Sequence, residues 1–347
     1  MSKSFLIIGA GAIGTYLGGS LALAGHQVFF LERGRDIHTL RQRGLHMTRD
    51  DQEHHISGVE FFSGFEIVRN QEIDLAILAL KTYHLDSILP KLIEWKDSLP
   101  PLLCLQNGVS SEATLSDALG VNDVIPGTVT SAVDRVDKGR IIVQKARGMG
   151  IAGEHSRLEE YRDTFNQAGL NCVIYRRADA MKWSKLIINL LGNASSAILD
   201  LPPAKLYAHP GLFQMELEQI REGLKVMRKQ RIPAVNLPGV PVSGLAAILR
   251  FLPATLSHSI LSRRIGRGRG EKMPSFHIDL YSGKGKSEVG ELNGAVVRAG
   301  KKYRVPTPVN QFLTSQLMGL IAGEIPLDKY QHKPDLFLKD LALYQGK

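Results

Sequence analysis

Short apolar runs alternate with longer amphipathic segments through the first half of the chain. The apolar runs cover residues 5–8, 28–31, 75–80, 101–105, 124–128 and 172–175. Apolar runs separated by helix-length segments are typical of a parallel β-sheet that helices cover on both faces. Residues 140–144 and 150–152 also have the character of strands, added to this pattern without a helical crossover.

The pattern changes after residue 177, where long helical segments take over and strand-like runs almost vanish. This change predicts an α/β domain over residues 1–177 and an all-α domain over residues 178–347. Residues 236–270 contain several prolines and glycines and an apolar stretch that Arg250 interrupts. We expect short helices and loops there, because the stretch is too short and too broken to cross a membrane.

The first apolar run leads directly into a glycine-rich turn. The turn consists of Gly9, Ala10, Gly11, Ala12, Ile13 and Gly14. In a dinucleotide-binding fold the first glycine makes the tight turn, the second lets the backbone approach a pyrophosphate, and the third allows close helix–strand packing. A small-residue helix and a second strand follow, so the context predicts a Rossmann-type domain that binds a nicotinamide or flavin cofactor, with a bare strand–turn–helix unit as the alternative.

Composition excludes several classes of protein. The 347 residues are 44% hydrophobic and 22% charged, as in a soluble globular protein long enough for two domains. The first strand begins within a few residues of the N-terminus, which leaves no room for a secretory signal, and we expect a cytoplasmic protein. Cys104 and Cys172 lie in strand-like runs and are predicted to be buried thiols, so neither a disulfide nor a metal site is expected.

The net charge of +9 favours an anionic partner, but its sign alone does not choose among nucleic acid, an acidic membrane surface and small anions. The one dense basic cluster, residues 263–269, has no aromatic residues between its arginines. A solvated loop is therefore favoured over a phosphate or nucleic-acid patch. We predict a small anionic substrate, with neither nucleic acid nor a membrane as partner.

Two polar groups follow neighbouring apolar runs. Lys81 comes directly after the run 75–80, and Asn107 follows the run 101–105 in a Gln106-Asn107-Gly108 turn. Open α/β sheets bind ligands outside the carboxyl ends of their strands, so both side chains are placed to reach a dinucleotide and its substrate. The alternatives are a surface lysine at a helix start and a plain turn.

A polar stripe marks the first helix of the second half. Lys185, Asn189 and Asn193 are spaced four apart and are predicted to share one helix face among leucines and isoleucines. Buried amides and ammonium groups need polar partners, so the stripe is expected to face a polar cavity rather than solvent. Partial desolvation lowers the pKa of a lysine, which lets it donate a proton near neutrality, as a carbonyl reductase requires.

Together these motifs resemble the ketopantoate reductases, or 2-dehydropantoate 2-reductases, of the 6-phosphogluconate dehydrogenase-like superfamily. The resemblance runs through nearly the whole chain, since Ser275, Glu288 and the closing segment 305–310 also fit the family's pattern. Other dehydrogenases share the glycine turn and the Lys-x-x-x-Asn helix. The Asn107 turn combined with the late serine and glutamate is more specific.

The resemblance implies that NADPH reduces a 2-oxo acid to a 2-hydroxy acid, most simply ketopantoate to pantoate in pantothenate and coenzyme A biosynthesis. It makes Lys185 the general acid and Glu288 a second catalytic residue that fixes the cofactor or the substrate hydroxyl. It assigns Asn107, Asn189, Asn193 and Ser275 to the substrate. The cofactor residues it implies are the glycine turn with Arg33, Lys81, Asn107 and Glu288. The resemblance leaves open whether the protein forms a homodimer.

The end of the second strand bears on the choice of nucleotide. Glu32 is of the type that accepts hydrogen bonds from an unphosphorylated ribose, whereas Arg33 and Arg35 are of the type that pairs with a 2′-phosphate. In the resembled family an arginine occupies the place of Arg33. The sequence therefore favours NADP(H), with Glu32 turned outward.

The sequence departs from the family's pattern at two positions that bear on the substrate. Lys272 stands where the family usually has a substrate-binding asparagine, and Pro203 fills a commonly polar position. Lys272 either clamps a substrate carboxylate or faces solvent, so a reductase for a different anionic 2-oxo acid is an alternative. A non-catalytic NADP(H)-binding sensor is another, although the intact Lys185 and Glu288 argue against it. A basic surface binder that uses residues 263–269 ranks last.

Overall fold

The computed structural model describes residues 2–120, 123–251, 272–283 and 285–346. The chain forms two compact units, Met1–Lys182 with Leu237–Val240 and Trp183–Asn236 with Pro241–Lys347. The sequence places the boundary after residue 177, and the structure divides a few residues later. Lys182 consequently belongs to the first unit and Lys185 to the second.

The first unit contains the strands. They are β1 (Ser4–Ile8), β2 (Gln27–Leu31), β3 (Leu45–Arg49), β4 (Gln52–Ile56), β5 (Val59–Phe62), β6 (Leu75–Leu78), β7 (Leu102–Cys104), β8 (Val124–Val129), β9 (Ala132–Asp137), β10 (Arg140–Lys145), β11 (Met149–Ala152) and β12 (Cys172–Tyr175). Its helices are α1 (Ala12–Leu23), α2 (Gly34–Arg43), α3 (Ile67–Asn70), α4 (Leu85–Glu94), α5 (Ser111–Leu119) and α6 (Leu158–Gln167), and Thr82–His84 forms a 3-10 turn.

The main sheet has the order β12-β11-β8-β7-β6-β1-β2-β5. Its six strands from β8 to β5 are parallel to one another, and β11 is antiparallel to β8. This order confirms the predicted Rossmann-type domain with a mainly parallel sheet. Of the two added runs, 150–152 lies in β11 of the main sheet, whereas 140–144 lies in β10 of a separate sheet with the order β4-β3-β10-β9.

The central strands are apolar because both faces of the sheet are covered. Along β1, Phe5 and Ile7 belong to one buried cluster, and Leu6 and Ile8 belong to another. Helix α1 packs so closely that a Cβ atom on Gly18 would lie 2.4 Å from the ring of Phe30. Small residues in α1 therefore set its distance from the sheet. Cys104 and Cys172 are both buried thiols, as predicted.

Within its described residues, the secondary-structure elements of the second unit are all helices, which confirms the predicted all-α character. Helix α7 (Ala178–Leu190) contains the division between the units, and the helices that follow are α8 (Asn193–Leu199), α9 (Pro203–Ala208), α10 (Pro210–Lys229), α11 (Val242–Phe251), α12 (Ser275–Tyr281), α13 (Asn293–Tyr303), α14 (Pro308–Ala322) and α15 (Pro334–Tyr344). The basic cluster 263–269 lies outside the described residues. No helix in the described parts of the chain is both long and apolar enough to cross a membrane.

Candidate functional site

The glycine turn joins β1 to α1, and each of its glycines has a separate structural reason. Gly9 has a φ of +104°, and a Cβ atom there would lie 2.5 Å from Leu80 Cδ2. A Cβ atom on Gly14 would lie 1.9 Å from the carbonyl oxygen of Gly9, so only glycine fits. At Gly11, by contrast, an added Cβ would meet nothing within 4 Å. Open space of this kind is what close approach of a dinucleotide pyrophosphate to the backbone would need.

The start of α1 is suited to an anion. Gly11 is its N-cap, no side chain caps the helix, and the first turn carries no acidic residue. The first N–H groups of a helix have no partner within the helix, and the helix dipole favours negative charge at this end. The turn and the helix start therefore fit a dinucleotide, whose pyrophosphate would be held by the backbone around Gly11, Ala12 and Ile13.

Glu32, at the end of β2, corrects a sequence expectation. The sequence predicts that it turns outward, but its side chain is only 9% exposed. Its Oε2 accepts a hydrogen bond from the Ala10 N–H at 2.9 Å, because the glycine turn brings that donor to the end of the neighbouring strand. Arg33 is exposed, and its Nη2 lies 3.5 Å from His84 Nδ1. The side chain of Arg35 lies outside the described part of the chain.

The turns that carry Lys81 and Asn107 lie next to each other, at the carboxyl ends of β6 and β7. Thr82 Oγ1 donates to the carbonyl of Asn107 at 3.1 Å, and Gln106 Nε2 donates to the carbonyl of Lys81 at 3.2 Å. Lys81 and Asn107 are half-buried. Two side chain–backbone hydrogen bonds thus fix these two residues at one edge of the parallel sheet.

Lys182, near the start of α7, is a residue that sequence reasoning missed. It is 5% exposed, and its ammonium donates to the carbonyls of Gln106 at 2.5 Å and Gly127 at 3.3 Å. Its Nζ also lies 2.5 Å from Oε1 of Glu112. The available signal was a lysine between Met181 and Trp183 in a helix that is otherwise mainly apolar. Its contact with Gln106 makes it a positioning residue for the Asn107 turn.

The polar stripe of the second unit is not continuous on one helix, which corrects the expectation from spacing. Lys185 and Asn189 lie half-buried on α7, but α7 ends at Leu190 and Asn193 begins α8. Between them Gly192 takes a φ of +61°, and its N–H donates to Glu216 Oε2 at 2.7 Å. The buried carboxylate stabilises a turn that an uninterrupted helix would not contain.

The structure brings two predicted substrate residues together. Asn193 is 4% exposed, and its Nδ2 lies 3.4 Å from the hydroxyl oxygen of Ser275, the first residue of α12. Asn193 Oδ1 accepts a hydrogen bond from the Phe276 N–H at 3.0 Å. Asn193 therefore also satisfies a free N–H group at the start of α12.

The remaining predicted residues of the second unit differ in exposure. Glu288 is 1% exposed, whereas Lys272 and Ser275 are exposed. Pro203 is the buried first residue of α9, a position where the missing N–H costs nothing.

A buried polar network supports α10, α13 and α14. Asn293 Nδ2 donates to Gln219 Oε1 and to Asn310 Oδ1, each at 3.1 Å. Glu222 accepts hydrogen bonds from the N–H groups of Val309 and Asn310, while burial raises the pKa of its carboxyl group. The closing segment 305–310 thus has a structural role in this network, which does not depend on a role in catalysis.

Models of a known family match both parts of the chain. Residues 5–156 match "Ketopantoate reductase PanE/ApbA", and residues 177–320 match the C-terminal model of the same family. The chain belongs to the ketopantoate reductase family. Members of this family are pyridine-nucleotide-dependent oxidoreductases, so the resemblance predicted from the motifs is confirmed.

Curated relatives within the ketopantoate reductase family are similar along most of their length. The 2-dehydropantoate 2-reductase of Pyrococcus horikoshii is 26% identical over 321 residues, which cover 88% of this chain and 94% of the relative. The enzyme of the same name from Lactococcus lactis is 26% identical over 315 residues, which cover 89% of this chain and 95% of the relative.

Solved structures share the fold. A PanE/ApbA family ketopantoate reductase from Ralstonia eutropha has a TM-score of 0.78 at 26% identity, covering 92% of this chain and 99% of that one. A D-mandelate dehydrogenase with NADH and anilino(oxo)acetate has a TM-score of 0.74 at 22% identity, with coverages of 92% and 99%.

Proposed function

We propose that this protein reduces a 2-oxo acid to a 2-hydroxy acid with a nicotinamide dinucleotide, and that ketopantoate is the substrate. The observation that carries the proposal is the match of both family models to a chain that keeps Lys185 half-buried on an apolar helix. Relatives named 2-dehydropantoate 2-reductase support the choice of substrate.

The first unit supplies the nucleotide site. The backbone around Gly11 and the start of α1 hold the pyrophosphate, while Lys81 and Asn107 contact the nucleotide from the neighbouring strand ends. A reduced nicotinamide, when bound, supplies the hydride that adds to the carbonyl carbon.

Lys185 supplies the proton. Its ammonium donates to the carbonyl oxygen as negative charge develops there, and a charged donor stabilises such an oxyanion strongly where water is scarce. Leu186 and Ile187, next to it on α7, are each 1% exposed, so Lys185 lies on a helix that is mostly removed from water.

Asn189, Asn193 and Ser275 bind the substrate. Because Asn193 Oδ1 already accepts the Phe276 N–H, the Nδ2 group of Asn193 is the one that donates to the substrate beside the Ser275 hydroxyl. The buried Glu288 fixes the substrate hydroxyl or the cofactor, and the exposed Lys272 attracts the substrate carboxylate.

The nucleotide could carry a 2′-phosphate or lack one, and the two residues at the end of β2 favour different answers. Arg33, exposed at the start of α2, favours NADPH. Glu32, held toward the glycine turn, favours NADH.

Nucleotide oxidation with a panel of 2-oxo acids tests the substrate. Purified protein is given ketopantoate, the straight-chain acid 2-oxopentanoate, phenylglyoxylate and a dicarboxylic 2-oxo acid, each with NADH and with NADPH. The proposal requires kcat/KM to be highest for ketopantoate. A higher value for the dicarboxylic acid would reassign the substrate and implicate Lys272, and tight nucleotide binding without turnover of any acid would refute the reductase and leave a sensor.

A further inference from the structure

The carboxylate of Glu32 is fixed by backbone donors on two sides. Its Oε2 accepts from the Ala10 N–H at 2.9 Å, and its Oε1 accepts from the Arg33 N–H at 2.9 Å. Charge-assisted hydrogen bonds of this kind are stronger than neutral ones. The carboxylate is therefore held beside the glycine turn, and moving it away would break both bonds.

A lysine from a distant part of the first unit completes the arrangement. Lys138, in the turn between β9 and β10, places its Nζ 2.9 Å from Glu32 Oε2 and 3.1 Å from Asp36 Oδ2. Its side chain is 20% exposed. Since two carboxylates share this one ammonium, the cluster of Glu32, Asp36 and Lys138 carries a net negative charge.

Arg33 points to a different neighbour. Its guanidinium lies 3.5 Å from His84 Nδ1, in the 3-10 turn that follows β6. The side chain that favoured NADPH in the sequence is thus exposed at the surface, while the side chain with the opposite preference is buried and fixed.

The two forms of the nucleotide differ in what they offer this cluster. An unphosphorylated ribose offers two hydroxyl donors, which a fixed carboxylate accepts. A 2′-phosphate removes one donor and adds about two negative charges, as phosphate monoesters do near pH 7. Placed next to Glu32, whose side chain is 9% exposed, those charges would be repelled by the carboxylate.

We infer that Glu32, held by the Ala10 N–H and by Lys138, makes this protein select NADH over NADPH, with Lys138 occupied as the counter-ion that keeps the carboxylate in place. This inference rests on the proposed function only in taking a nicotinamide dinucleotide as the reductant. It reverses the preference for NADP(H) that Arg33 and Arg35 indicated in the sequence.

Dissociation constants measured without any oxo acid test the inference. Binding of NADH and of NADPH to the full-length protein is followed by nucleotide fluorescence. We expect NADH to bind about tenfold more tightly or better, the size of one charge-assisted hydrogen bond. In Glu32→Ser, Lys138 loses one of its two carboxylate partners and the repelling charge is gone, so the ratio should move toward NADPH by about 100-fold.

Three further variants separate charge from shape. Glu32→Gln keeps the size of the side chain and one acceptor oxygen, so it should fold normally and shift the ratio in the same direction by a smaller amount. Lys138→Met in the Glu32→Ser background should weaken NADPH binding and leave NADH binding unchanged. Glu94→Ser is the matched control, because it removes an exposed carboxylate on α4 outside the cluster, and NADH should still bind more tightly.

Preference of the unmodified protein for NADPH would overturn the inference, as would an unchanged ratio in both Glu32→Ser and Glu32→Gln. If neither NADH nor NADPH binds, both the inference and the proposed nucleotide site are overturned. The predicted preference in binding, combined with no turnover of any 2-oxo acid, would refute the proposed function and support the inference.

Discussion

At the scale of single residues, the three glycines of the first turn meet different physical demands. Gly9 needs a positive φ, Gly14 needs the absence of a side chain against Gly9, and Gly11 borders open space. The sequence pattern predicts all three glycines without saying which of them the fold requires. The structure gives Gly9 and Gly14 a role in the fold, whereas the role proposed for Gly11 is to leave space for the nucleotide.

Alanine at Gly11 and at Gly14 should therefore have different effects. Gly11→Ala should leave the free energy of unfolding within about 0.5 kcal/mol of the parent protein, as at other uncrowded positions. It should nevertheless weaken nucleotide binding, since a methyl group would occupy the space for the pyrophosphate. Gly14→Ala should lower both stability and binding. Denaturant unfolding and nucleotide titration measure the two effects, and unaltered binding by Gly11→Ala would contradict the assignment.

His26 gives a pH dependence at the same scale. Its Nδ1 accepts the Lys3 N–H at 3.1 Å, and burial, followed by the charge of Lys3, lowers its pKa from the usual 6.5. The unfolded chain then binds more protons than the folded chain in the range between the two pKa values. His26 accordingly contributes stability above about pH 6.5, which is lost as the pH falls toward the folded-state value.

Replacement of this ring should flatten the dependence. In His26→Asn, the loss of thermal stability between about pH 7 and about pH 5 should be smaller than in the parent protein, because one titrating group is gone. His38→Asn, at an exposed position on α2, is the control and should keep the parent's slope. Parallel pH curves for the parent and His26→Asn would show that this histidine does not contribute.

At the scale of elements, the sequence predicts the polar face of α7 correctly over Lys185 and Asn189 and fails at Asn193. A four-residue spacing is compatible with one helix, but the turn at Gly192 depends on Glu216, which lies 24 residues further along the chain. The orientation of Glu32 was missed for a similar reason, since its counter-ion Lys138 is 106 residues distant. Patterns among neighbouring residues in the sequence do not reveal contacts between residues that are far apart along the chain.

The contacts that Lys182 makes from the start of α7 to the sheet and to Glu112 can be tested directly. Lys182→Met should destabilise the first unit by about 3–5 kcal/mol, because it leaves the carboxylate of Glu112 buried without its cation. The double variant Lys182→Met, Glu112→Leu should recover most of that loss. Lys91→Met, which removes an exposed ion pair with Glu94, is the control and should change stability little.

If Lys182→Met unfolds like the parent protein, or if the double variant is no more stable than the single one, the buried pair is not what holds this region. Chemical denaturation followed by circular dichroism measures all four proteins. A fall in nucleotide affinity of the folded Lys182→Met protein would further show that the Gln106–Asn107 turn depends on this lysine.

At the scale of the whole molecule, the apolar runs predict the central strands of the main sheet, and the change in pattern predicts a helical second unit. The missed strands are β3, β4, β5 and β9, which carry polar residues such as Glu53, His54 and Glu60 because they lie at edges or in the smaller sheet. A half-exposed strand does not need an apolar run, so its sequence gives little signal. The candidate site residues come from sequence motifs, whereas Lys182, Lys138 and Glu216 act through distant contacts and are visible only in the fold.

The proposed reduction of a 2-oxo acid depends most on Lys185 as the proton donor. The most direct measurement is kcat for ketopantoate in Lys185→Ala, compared with the parent protein and with Lys225→Ala, an exposed lysine on α10. We predict that kcat falls by about 100-fold to 10,000-fold in Lys185→Ala, with nucleotide affinity unchanged, and that Lys225→Ala behaves as the parent. A Lys185→Ala protein that keeps the parent's kcat would contradict the account.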